Sequence, residues 1–101
     1  MKVETSLHLS RRFMARRKIE YQKEDLEEFD NIRANITQLA REKGMALYAL
    51  SQTADVDYGA LNEFINRRHQ NPEVYTLMKI ARALGVPTSR LFEVDTPKHV
   101  R

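Results

Sequence analysis

Residues 47–66, LYALSQTADVDYGALNEFIN, limit what this chain can fold into more than any other stretch. Leu47, Leu50 and Ala54 lie three and four positions apart, which puts them on one face of a helix. Leu61, Phe64 and Ile65 build a second inward face a few residues later. Asp55, Val56 and Asp57 separate the two. Asp55 tolerates the left-handed backbone that ends a helix, Val56 is apolar and can plug a corner, and Asp57 is a good N-cap for the second helix. Two short helices meeting at so tight a corner leave the second one projecting outward.

That is the helix-turn-helix plan, in which the second helix enters the major groove of DNA. The likeness extends beyond the pair. Residues 32–92, about 60 % of the chain, resemble the Cro/repressor-type (XRE-like) helix-turn-helix family. The matching pieces arrive in the family's order: LAREKG at 39–44, the corner at 55–57, NP at 71–72, LMKIARALGV at 77–86 and SRLF at 89–92. The resemblance implies an all-α fold, a five-helix lambda-repressor-like domain, with double-stranded DNA as its partner. Three positions depart from the family's pattern. Leu47 stands where a Gln that often holds DNA is usual, Asp55 where Gly is usual, and Ser51 where Ala is usual.

Charge is consistent with such a partner without demanding it. The net charge is +3 and the pI about 9.4. Residues 1–30 carry seven basic and seven acidic side chains; residues 31–101 carry ten basic and seven acidic, so the whole surplus lies with the helix-turn-helix region. There is no Cys, hence no disulfide framework and no thiolate metal site, which suits a reducing cytoplasm. No apolar run approaches the length of a membrane span, and no membrane association is expected. Hydrophobic residues at 42 % and charged residues at 31 % fit one globular helical domain.

The chain divides into an N-terminal extension at 1–28, the DNA-binding domain at 29–94 and a polar tail at 95–101. Within residues 1–30 a basic block (Arg11, Arg12, Arg16, Arg17, Lys18) precedes an acidic one (Glu20, Glu24, Asp25, Glu27, Glu28, Asp30). The form of the extension stays open: a helix packed on the domain or on a second copy, a short hairpin arm, a basic arm on DNA, or a solvated extension. The first domain helix begins before Asp30. Leu26, Phe29, Ile32 or Arg33, Ile36, Leu39 and Ala40 keep helical spacing up to Lys43, where Gly44 stops it. Helices at 46–54 and 58–66 come next. Asn71 as cap with Pro72 in the first turn opens the fourth, whose buried stripe is Val74, Leu77, Ile80, Ala81 and Leu84 and whose end is Gly85. Thr88 or Ser89 opens a short last helix. Met45, Leu50, Val56, Leu61, Phe64, Leu77, Ile80, Leu84, Leu91 and Phe92 are the expected core; Arg33 and Arg41 are expected at the solvated surface.

If the family's docking holds, the second helix of the motif supplies the base-reading candidates Asp57, Tyr58, Gly59, Asn62, Glu63 and Asn66. Asn62 can pair both exposed edges of an adenine, Tyr58 can meet a thymine methyl or a phosphate, and Gly59 permits close backbone approach. This helix has no Arg or Lys of its own, so positive charge must come from its flanks. Lys43, Tyr48, Arg67, Arg68 and His69 are the phosphate candidates, Tyr48 because backbone N–H groups at the head of its helix also face an anion. His8, His69 and His99 lack metal-ligand spacing, no glycine-rich phosphate loop occurs, and no catalytic residues, metal or cofactor are expected. The expected function is therefore a transcriptional regulator, a repressor by family frequency, of phage-like or antitoxin type, binding as a homodimer. The competing reading is a protein-interaction module on the same fold, with residues 1–30 as its partner surface.

Overall fold

The computed structural model describes residues 20–68 and 71–94, and the described part is all-helical. Four α-helices occur in order: α1 (Lys23–Glu42), α2 (Leu47–Ala54), α3 (Tyr58–Ile65) and α4 (Val74–Leu84). A 3-10 helix (Thr88–Phe92) takes the place of the expected fifth α-helix. The readings of residues 1–19 and of the tail at 95–101 fall outside the described residues. α1 runs unbroken across positions 28 and 29, where the extension and the domain are expected to meet. Glu24 and Asp25 in its first turn suit the positive end of the helix dipole, and the Gln22 N–H donates to Asp25 Oδ2 at 2.9 Å.

One device ends every α-helix. The residue after the last turn adopts a left-handed backbone, and two reversed hydrogen bonds close on the final carbonyls, the Schellman arrangement. At α1 Gly44 takes φ 71°, with Met45 N–H on the Ala40 carbonyl at 2.8 Å. At α4 Gly85 takes φ 74°, with Val86 N–H on the Ala81 carbonyl at 3.0 Å. α2 and α3 stop the same way without glycine. Asp55 has φ 59°, with Val56 N–H on Ser51 at 2.9 Å; Arg67 has φ 67°, with Arg68 N–H on Glu63 at 2.7 Å. The corner between α2 and α3 is therefore a helix stop (Asp55), a buried plug (Val56, 9 % exposed) and a helix start (Asp57). Lys79 of α4 ties it down by donating to the Asp55 carbonyl at 2.8 Å.

The core collects Ile32, Ile36, Leu39 and Ala40 from α1, Leu50 and Ala54 from α2, and Leu61 and Phe64 from α3. Leu77, Ile80, Ala81 and Leu84 of α4 and Leu91 of the 3-10 helix complete it. α1 packs on the 3-10 helix, α4 and α3, while α2 packs on α3 and α4. Four expectations need correction. Helix α4 begins at Val74 behind an extended Glu73, so Asn71 and Pro72 precede it. A cap preference worth about 1 kcal/mol yields to the burial of Leu77, Ile80, Ala81 and Leu84, which sets where the helix starts. Val74, at the helix tip beyond the edge of the core, is 66 % exposed. Phe92 is 48 % exposed, because a three-residue turn sets it about 120° from the buried Leu91. Arg33 is buried, with only 5 % of its surface exposed.

Two asparagines that periodicity passes over lock the ends of the domain together. Asn35, buried on α1, donates to the carbonyls of Leu91 and Glu93, both at 2.8 Å. Asn31, one turn earlier, donates to Glu93 at 2.8 Å. These bonds satisfy carbonyls at the end of the 3-10 helix that have no helical partner of their own. Ser51 is fully buried and satisfied locally, its hydroxyl donating to the Tyr48 carbonyl at 2.6 Å.

Candidate nucleic-acid interface

Helix α3 owes its outward presentation to a division of its eight residues. Leu61 and Phe64, each 2 % exposed, face the core, whereas Tyr58, Gly59, Ala60 and Glu63 are exposed and Asn62 is half-buried. Asp57 opens the helix: its Oδ2 accepts from the Ala60 N–H at 2.9 Å. That carboxylate is engaged by the backbone, which limits what it can offer a base. Gly59 sits tightly beside it, since a Cβ there would lie 3.1 Å from Asp57 Oδ2. Asn66, just past the helix, donates through Nδ2 to both the Asn62 carbonyl (2.9 Å) and the Asn62 side-chain oxygen (2.8 Å). The two amides thus form one coupled polar unit on the helix's outer side.

The heads of α2 and α3 meet through their tyrosines. Tyr48 and Tyr58 pack edge to face with ring centroids 5.5 Å apart and an interplanar angle of 70°. Both stay well exposed, so a phosphate candidate and a base-reading candidate share one surface. The cationic candidates are more dispersed. Lys43 lies against the C-terminus of α4, with its Nζ 3.6 Å from where a Gly85 Cβ would stand. Arg67 pairs with Asp30 of α1, Nε to Oδ1, at 3.1 Å. Arg68 is exposed at the exit of α3, and His69 falls outside the described residues. Arg41, expected at the surface, is exposed there.

The exit of α3 is held by a buried arginine, one that charge alone would place in solvent. Arg33 Nε donates to the Phe64 carbonyl, and the guanidinium stacks over the Phe64 ring at 4.6 Å from its centroid. Its Nη1 meets Asp30 Oδ1 at 2.8 Å. Burial pushes the Arg33 pKa down from its ordinary value, and Asp30 opposes that shift. The sequence does carry a signal: Arg33 sits three residues after Asp30 and three before Ile36, at a position where Ile32 or Arg33 could face inward.

The Cro/C1-type helix-turn-helix DNA-binding domain matches residues 35–97, more than half of the chain. The chain belongs to this family. Its match takes in residues 35–42 of α1, all of α2 to α4 and the 3-10 helix. Among solved structures, the family member is similar to a crystal structure of an HTH_3 family transcriptional regulator from Vibrio cholerae. The identity is 26 % and the TM-score 0.61, over 67 % of this chain. The chain spans only 38 % of that regulator's length. It is also similar in fold to a crystal structure of a hypothetical transcription factor NHTF from Neisseria. There the identity is 18 % and the TM-score 0.67, over 82 % of this chain and 93 % of the other. No curated protein matches the chain. Among the described residues no helix is long and apolar enough to cross a membrane.

Proposed function

We propose that this Cro/C1-type domain is a sequence-specific transcriptional regulator, a repressor acting as a homodimer with α3 in the major groove. One observation carries the reading. The helix that family docking sends into the groove turns its apolar residues inward and leaves Tyr58, Gly59, Glu63 and the Asn62–Asn66 pair for a ligand. In this role Asn62 reads an adenine, Asn66 orients it, Tyr58 contacts a thymine methyl or phosphate, and Glu63 accepts from a cytosine amino group. Asp57 acts by shaping the helix start, and Gly59 by letting the backbone approach. Tyr48, Lys43, Arg67, Arg68 and His69 supply phosphate contacts. One helix reads too few base pairs for genomic specificity, which favours a dimer on two half-sites.

Binding to mixed-sequence duplex across a salt series tests the reading. The expected result is a steep fall of affinity with salt, flattened by roughly one unit or more when Arg67 and Arg68 are both replaced by Ala. A protein-interaction module is the second reading. It is favoured by the acidity of the helix, where Asp57 and Glu63 repel phosphate and no residue of α3 is basic. Under it residues 1–30 form the partner surface, and no duplex binds at low salt.

A further inference from the structure

We propose that Asp30 is a specificity-determining residue, a carboxylate that holds Arg67 against the exit of the recognition helix and competes with DNA phosphate for it. The inference rests on the DNA-binding reading and deepens it. Asp30 Oδ1 receives two guanidinium groups, Arg33 Nη1 at 2.8 Å and Arg67 Nε at 3.1 Å. Arg33 is a structural cation, buried, stacked on Phe64 and bonded to its carbonyl. Its contact with Asp30 is a short-range helical pair that needs no third member. Arg67 arrives from the far side of the groove between α1 and the end of α3, a polar cavity of about 600 Å³ that also bears Gln38, Arg41 and Asn66. It does so from a left-handed backbone that disfavours any side chain, so a residue other than glycine stands at the helix stop nearest the reading surface.

The chemistry of the pair makes it a competitor rather than a lock. Side chains of Arg67 and Asp30 are 69 % and 47 % exposed, and ion pairs in water are weak and readily exchanged. A phosphate offers Arg67 two acceptor oxygens in the fork geometry that guanidinium prefers. On mixed-sequence DNA, where binding is almost all phosphate contact, Arg67 reaches phosphate only in the minority of encounters that draw it off Asp30. The carboxylate therefore subtracts from nonspecific binding. On a selected sequence, base contacts from α3 fix the register, and the held Arg67 keeps the helix exit in its docked geometry. Asp30 thus widens the gap between right and wrong DNA without touching a base.

Replacing Asp30 by Asn, which keeps shape and removes charge, tests this. Mixed-sequence duplex is expected to bind with a salt slope steeper by roughly one unit, a roughly fourfold larger loss of affinity between 50 and 200 mM salt. Affinity for the sequence selected from a random pool is expected to change less than about twofold in 100 mM salt, so the specificity ratio falls. Asp30→Glu should restore the wild-type slope, and Arg67→Ala in the Asp30→Asn background should abolish the change. Arg67→Ala alone leaves the Arg33–Asp30 pair in place and reads the same coupling should Asp30→Asn not fold; it is expected to flatten the slope by less than half a unit. An unchanged slope in Asp30→Asn, a full-unit flattening in Arg67→Ala, or parallel weakening on both DNAs with a lowered Tm would overturn the proposal. Absence of any duplex binding by the wild-type chain would overturn the DNA-binding reading and this inference together.

Discussion

Asn62 is the residue on which base discrimination should turn. Its side-chain oxygen already accepts from Asn66, which fixes the amide plane before DNA arrives. Asn62→Ala should cost about 1–3 kcal/mol of preference at one base pair and little elsewhere. Competition against duplexes substituted one position at a time checks this. Asp57 belongs to a different class, since its carboxylate caps α3. Asp57→Ala should lower stability by about 0.5–2 kcal/mol in urea denaturation, whereas Asn, which caps as well, should be close to neutral. The cap is legible in the sequence because a short acid before an apolar-periodic run has a local meaning. The partner of Arg33 is not, even though helical spacing allows Arg33 inward, because the Phe64 carbonyl lies thirty-one positions away and only the fold brings it near. Arg33→Met should keep most of the packing but remove the Phe64 carbonyl's charged donor, leaving it the Arg67 N–H alone, and break the pair with Asp30, a loss of about 1–3 kcal/mol.

At the scale of elements, the helix stops distinguish α2 and α3, which end without glycine, from α1 and α4, which end on one. Glycine removes about 1–2 kcal/mol of left-handed strain but loses about 0.5–1 in chain entropy. Asp55→Gly should therefore raise stability by about 0.5–1 kcal/mol in thermal or urea unfolding, because Lys79 binds a backbone carbonyl that glycine retains. Asn35→Leu should do the reverse, since the Leu91 carbonyl loses its side-chain donor and Glu93 keeps only Asn31, which weakens the tie of the 3-10 helix to α1; about 1–3 kcal/mol is expected. The positions of α2 and α3 can be read from the sequence because amphipathic spacing and both corner residues point the same way. The start of α4 cannot, because Asn71 and Pro72 send a strong local signal that tertiary packing overrides. Phe92 misleads for a related reason. Hydrophobicity says that a side chain prefers burial, but the turn geometry gives the inward place to Leu91.

Taken whole, the domain places its cations beside the proposed reading helix rather than on it, which bears on DNA. Helix α3 contributes no cation, and the exposed arginines that follow it, Arg67 and Arg68, stand at its exit with Arg67 tethered to α1. On the DNA-binding reading, phosphate attraction comes from the flanks of α3 and discrimination from its polar outer face. A homodimer would set two copies of α3 about 34 Å apart on one face of the duplex. Selection of bound sequences from a random duplex pool, run with the wild-type chain and with Asn62→Ala, tests the central claim that the outer face of α3 reads bases. The account predicts a palindromic pair of half-sites one helical turn apart, with one position in each half-site losing its preference in the variant. No enrichment over the starting pool, or an identical preference in both proteins, would contradict it.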